Sequence, residues 1–193
     1  MAFISNLNNI LNNFLESAGI WGGVISCLLI MIEPSLPFLP MFLFVTINIL
    51  VFGYVLGFIL SYVFAVLGCL VFYIIYNKLL SKKAYKFYKD KNKLHSLVKK
   101  YKNIKLETLT TIISLPFTPA FMINLLAAVS GMPLKKYLIA EMIAKVFIII
   151  FWGFLGFNLV KCFENPLYLI VIGITLLCGY VISKIVNIKY DLE

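Results

Sequence analysis

The chain contains no arginine; all 17 of its basic residues are lysine. Acidic residues number only 8, histidine 1, and charged residues make up 13% of the 193 positions. An ordinary soluble domain carries about a quarter charged residues, so this is not the composition of a water-exposed fold. There is no His or Asp cluster for a metal and no Ser/His pair for acyl transfer, so no enzyme, metal or cofactor is expected. Cys27, Cys69, Cys162 and Cys178 form no C-x-x-C pair and are expected as small apolar side chains rather than disulfides or metal ligands. The opening "MAFISNLNNILNNFLESAG" lacks the basic start and cleavage site of a signal peptide. It is expected to be retained, with 1–17 an interfacial amphipathic helix carrying Phe3, Leu7, Ile10, Leu11 and Phe14 at helical spacing.

What is present is hydrocarbon. The composition is 62% hydrophobic, and from Ala18 to Tyr76 the only charged side chain is Glu33. A bilayer core needs about 20 apolar residues per helical span, and 54–76, 137–160 and 167–186 qualify. The sequence therefore describes a polytopic membrane protein, with 18–193 as a single membrane domain. Eleven of the lysines fall between Lys78 and Lys105. Short lysine-rich loops stay cytoplasmic, so 77–105 is expected inside. Leu94, Leu97, Val98, Tyr101 and Ile104 recur at helical spacing there, which predicts a basic amphipathic helix on the anionic leaflet surface. His95 is expected as a solvated loop residue, and nothing in the pattern suits nucleic acid. The abundance of Asn, Ile and Lys points to an AT-rich bacterial genome, hence a bacterial plasma membrane. Tyr54, Tyr76, Tyr137 and Tyr180 near span ends are expected as interface anchors.

Helix breakers interrupt the hydrocarbon twice. "LPFLP" occupies 36–40 and "LPFTP" occupies 115–119, and a glycine follows the last proline of each by 13 or 12 residues, Gly53 and Gly131. Two prolines three apart end a helix. The 12 residues from Pro40 to Gly53 span about 18 Å as a helix, too short for a core about 30 Å thick. The expected fold class is all-α integral membrane, an inverted repeat of two re-entrant helical hairpins each followed by a transmembrane helix, plus a C-terminal transmembrane helix. The hairpins cover about 18–53 and 106–131. They lie on opposite sides of the basic loop with one span between them, so they enter from opposite faces, and the last span returns the C-terminus to the cytoplasm. Freed backbone groups at that depth must line a cavity or be buried in protein. The restarting helices would aim their positive ends at an anion there.

Three ionisable residues lie within apolar segments: Glu33, Glu141 and Lys145. Each costs about 2.5–3.5 kcal/mol at a helix centre. Glu141 and Lys145 are spaced to pair within one helix, and Glu141, four residues from Tyr137, is expected to snorkel to the interface. Glu33 would either accept hydrogen bonds from half-helix amides or carry a proton or sense a headgroup. Asn124 would bond a headgroup or bridge helices. The candidate substrate and proton site is Glu33, Pro37, Pro40, Pro116, Pro119, Asn124, Glu141 and Lys145.

Glu33 with Pro37 and Pro40, and then "LPFTPAFMINLLAAVSG" with Asn124 and Gly131, resemble the DedA / VTT-domain superfamily, also called the SNARE-associated Golgi protein family, over about 20–160. The resemblance implies facing re-entrant hairpins and movement of lipids between leaflets, the substrate a phospholipid or a polyprenyl phosphate carrier, with proton coupling in some members. Relatives usually carry an arginine just before the second motif; Ile113 and Ser114 stand there, and Lys145 is a candidate to supply that positive charge. Membrane lipids are the expected partners. The alternatives are a secondary transporter of a small solute or ion, or a non-transporting scaffold or importer subunit.

Overall fold

The computed structural model describes residues 19–36, 39–88, 92–118, 120–162 and 165–190. The expected interfacial helix over 1–17, Pro37 and Pro119 lie outside them. Every described element is helical: α1 (19–32), a 3-10 turn Glu33–Ser35, α2 (Met41–Phe52), α3 (Tyr54–Tyr88), α4 (Asn92–Asn103), α5 (Leu106–Ile113), α6 (Ala120–Val129), α7 (Leu134–Lys161) and α8 (Tyr168–Tyr190).

Tyr54–Leu79, Leu134–Lys161 and Tyr168–Val186 are each long and apolar enough to cross a membrane, matching the three expected spans. The helices beside the proline breaks are short: α2 has 12 residues, α5 has 8 and α6 has 10. Proline's missing donor and its clash with the preceding turn account for the breaks at 36–40 and 114–119. Gly53 and Gly131 take φ of +78° and +70°, just beyond α2 and α6. That backbone state costs a residue with a Cβ, so glycine is the fitting end for both short helices.

The lysine-rich stretch is more ordered than a loop. No glycine or proline falls between Gly68 and Pro116, and lysine and leucine are good helix formers, so α3 runs unbroken to Tyr88. The amphipathic segment forms α4 as its spacing predicts, but its apolar face meets protein. Val98 and Tyr101 are buried, and α4 packs on α6.

Two apolar cores share α3 and α7. One joins Ile30, Met41, Phe44 and Val45 to Ala65 of α3 and Ile148 and Ile149 of α7. The other joins Leu109, Ile112, Ile123 and Ala127 to Cys69 of α3 and Ala140 and Ala144 of α7. The seam between them falls on α7 between Ala144 and Ile148, where Lys145 sits. Within the first core, Ser26 donates to Phe44 O (2.8 Å) and to Asn48 Oδ1 (2.6 Å), and Asn48 Nδ2 donates to Ser61 Oγ (3.0 Å). These bonds tie α1, α2 and α3 together. At Gly68, an added Cβ would stand 2.3 Å from the Met31 carbonyl oxygen, so α1 and α3 touch backbone to side. Helix α8 is peripheral and packs chiefly on α7.

Candidate functional site

The two proline breaks, distant in sequence, line one cavity of about 310 Å³. The first break contributes Glu33, Leu36, Leu39 and Pro40, and the second Leu115, Pro116 and Thr118. Phe42 and Phe121, from the first turns of α2 and α6, also line it, and α7 contributes Lys145, Ile148 and Trp152.

Lys145 Nζ lies 3.8 Å from Glu33 Oε2, with side chains 2% and 14% exposed. The ion pair thus joins the 3-10 turn to α7 across 112 positions rather than following the i, i+4 spacing to Glu141. At that distance Glu33 Oε2 makes no hydrogen bond, and it is buried; so is the Thr118 Oγ1 hydroxyl, from the same cavity lining. An unpartnered carboxylate oxygen and hydroxyl next to a buried ammonium favour a ligand that brings both acceptors and donors.

Glu141 does not snorkel. Its side chain is fully enclosed, with Oε2 accepting from Cys69 Sγ at 3.4 Å and Oε1 unpartnered. Tyr137 is not an interface anchor either: it is buried, stacked on Tyr73 at 4.8 Å and donating to Cys69 O at 3.5 Å. Tyr73 in turn donates to Met132 O. Of the other expected anchors, Tyr54 and Tyr180 are exposed. Asn124 is buried with neither amide atom partnered, so no helix-bridging bond is recorded for it. Cys27 and Cys69 are buried, but Cys178 is exposed, and all four thiols are free.

Of the residues expected at the site, the cavity wall brings together Glu33, Pro40, Pro116 and Lys145. Glu141 and Asn124 are buried outside that wall. Cys69 and Trp152 carry no signal in the sequence that would single them out, since each sits in an apolar run as a core residue would, whereas Thr118 lies within the quoted "LPFTP" but is not singled out there. Among the described residues no group of three His, Cys, Asp or Glu side chains could hold a metal ion.

Helices of spanning length around a cavity that pairs a buried lysine with a glutamate define a polytopic membrane protein with an internal charged site. Residues 37–158 match the VTT domain model. The chain belongs to the VTT-domain family, which both proline motifs resemble. It is also 25% identical over 174 residues to the uncharacterized membrane protein YhjE of Bacillus subtilis (strain 168), covering 90% of this chain and 84% of that one. No solved structure gives a significant match.

Proposed function

We propose that this protein moves an anionic lipid, a phospholipid or a polyprenyl phosphate, between the leaflets of a bacterial plasma membrane. The observation that carries the reading is the Glu33–Lys145 pair, 3.8 Å apart and enclosed where both proline breaks meet. A charge pair inside an apolar helix assembly is costly, and such groups face partners or substrate paths. Lys145 supplies the charge for a phosphate headgroup, and Glu33 is the carboxylate that the headgroup displaces from it.

On this reading 19–52 and 106–129 are re-entrant hairpins, inverted with respect to one another. Supporting it, α2 and α6 are each shorter than a bilayer core, each begins at a break that lines the cavity, and each ends at a positive-φ glycine. The lysines of 78–105 then lie on the cytoplasmic, anionic leaflet, and the C-terminus is cytoplasmic.

The test is protein-dependent bleaching, by an external reductant, of labelled lipid in the inner leaflet of proteoliposomes. Wild type and Lys145→Arg are expected to expose the inner pool, and Lys145→Ala to slow exposure about tenfold or more. No protein-dependent exposure of either a phospholipid or a polyprenyl phosphate overturns the reading.

A further inference from the structure

Two apolar grooves share walls with the cavity. Phe42 and Trp152 also form the end of an apolar groove of about 190 Å³, completed by Leu155 and Leu159 of α7 and Ile172 and Leu176 of α8. Leu115 and Pro116 also bound a second groove, of about 430 Å³, against Phe147 and Phe151 of α7 and Ile174, Cys178 and Ile182 of α8. Another apolar depression, beside Tyr54, Phe58 and Phe157, shares no lining residue with the cavity. Two grooves therefore border one charged chamber, and residues of α8 line both.

The local sequence explains the shape. Gly179 brings α8 so close that an added Cβ would meet the Phe151 ring at 2.9 Å. Trp152 serves as a corner post: its ring lies 6.1 Å from Phe42, 6.4 Å from Phe117 and 5.1 Å from Phe151.

We propose that the two grooves are chain-binding subsites of the charged cavity, so that the ligand is a lipid with one anionic head and two apolar chains, one in each groove. This rests on the lipid reading above and narrows it. A bilayer is as apolar as the groove walls, so a chain gains no hydrophobic transfer energy by entering. It gains packing contacts, which depend on shape. Two grooves thus select for chain number: a diacyl lipid fills both, whereas a single-chain lipid or a polyprenyl phosphate fills one and leaves the other without a matching partner.

The experiment uses the full chain in mild detergent, with bound lipid read by native mass spectrometry. The probes are dioleoyl phosphatidylglycerol, its monoacyl counterpart and undecaprenyl phosphate. Leu176→Trp fills the first groove and Cys178→Trp the second. Wild type is expected to prefer the diacyl lipid over the monoacyl one by about fivefold, or about 1 kcal/mol. Each variant is expected to lower diacyl binding to the monoacyl level. Folding of each variant is verified by monodisperse elution and an unchanged helical circular dichroism spectrum. Equal wild-type binding of diacyl and monoacyl lipid overturns the proposal, as does preference for undecaprenyl phosphate. A diacyl preference that survives both variants also overturns it, assigning the grooves to bulk lipid or to a second copy of the chain. If wild type binds none of the three, the lipid reading falls as well; binding without chain selectivity removes only the two-groove proposal.

Discussion

Replacing Lys145 with methionine should be the most damaging single change at the site, and replacing Glu33 with glutamine the milder one. At 3.8 Å and an effective dielectric near 20, the pair attracts by about 4 kcal/mol. The cost of desolvating both charges roughly cancels that gain, so the pair itself adds little net stability. Breaking it from one side is different. Lys145→Met leaves Glu33 and the enclosed Glu141 without their cation, and should cost about 3–5 kcal/mol. Glu33→Gln leaves Lys145 one helical turn from Glu141, a spacing that allows a substitute partner, and should cost less. The Glu33→Gln/Lys145→Met double variant should recover part of the loss, giving a coupling energy of about 1–3 kcal/mol. The assay is equilibrium unfolding of the purified protein by sodium dodecyl sulfate in mixed micelles, followed by tryptophan emission. A Lys145→Met variant within about 1 kcal/mol of wild type, or single effects that simply add, would refute the reasoning.

Three further expectations follow from the packing. Gly68→Ala pushes a methyl into the Met31 carbonyl, which is backbone and cannot swing aside; it should lose about 1–3 kcal/mol in the same unfolding assay, and a neutral result would show that α1 and α3 can part. Asn48→Leu removes both bonds that link Ser26 to Ser61; a loss of about 1–2 kcal/mol is expected by the range for polar contacts between membrane helices, and an unchanged midpoint would count against the network. Gly131→Ala meets no neighbouring atom, so its cost is backbone alone, about 1–2 kcal/mol. Gly131→Asn should be milder, and equal destabilisation by both would place the cost elsewhere.

The long apolar runs, the proline breaks and the paired glycines were all legible, because length, φ restriction and the left-handed state are properties of local sequence. Glu33 was legible for a similar reason, as the lone charge in the 59 positions from Ala18 to Tyr76. Its partner was not. The i, i+4 spacing made Glu141 the natural mate for Lys145, whereas the fold brings Glu33 across from another helix. Tyr137 and Glu141 read as interface residues because they lie near the start of α7, yet the neighbouring α3 and α5 enclose that end. Asn48, Ser26 and Ser61 are widely spaced polar residues in apolar sequence, and only the convergence of three helices makes them a network. The apolar stripe of α4 was visible as periodicity, but nothing local distinguishes a face made for lipid from one made for α6.

The glycine contacts along α3 have a mechanical consequence. Where one helix rests directly on another's backbone, as Gly68 does on Met31 and Gly57 on the Asn48 carbonyl at 2.5 Å from its added Cβ, there are no side chains to re-pack and hence no slack. The half of the molecule that carries Glu33 is clamped like the fixed jaw of a vice. Helix α8 lies outside that clamp, held chiefly by α7, so the backbone contacts that fix the Glu33 side of the charged pair do not depend on it.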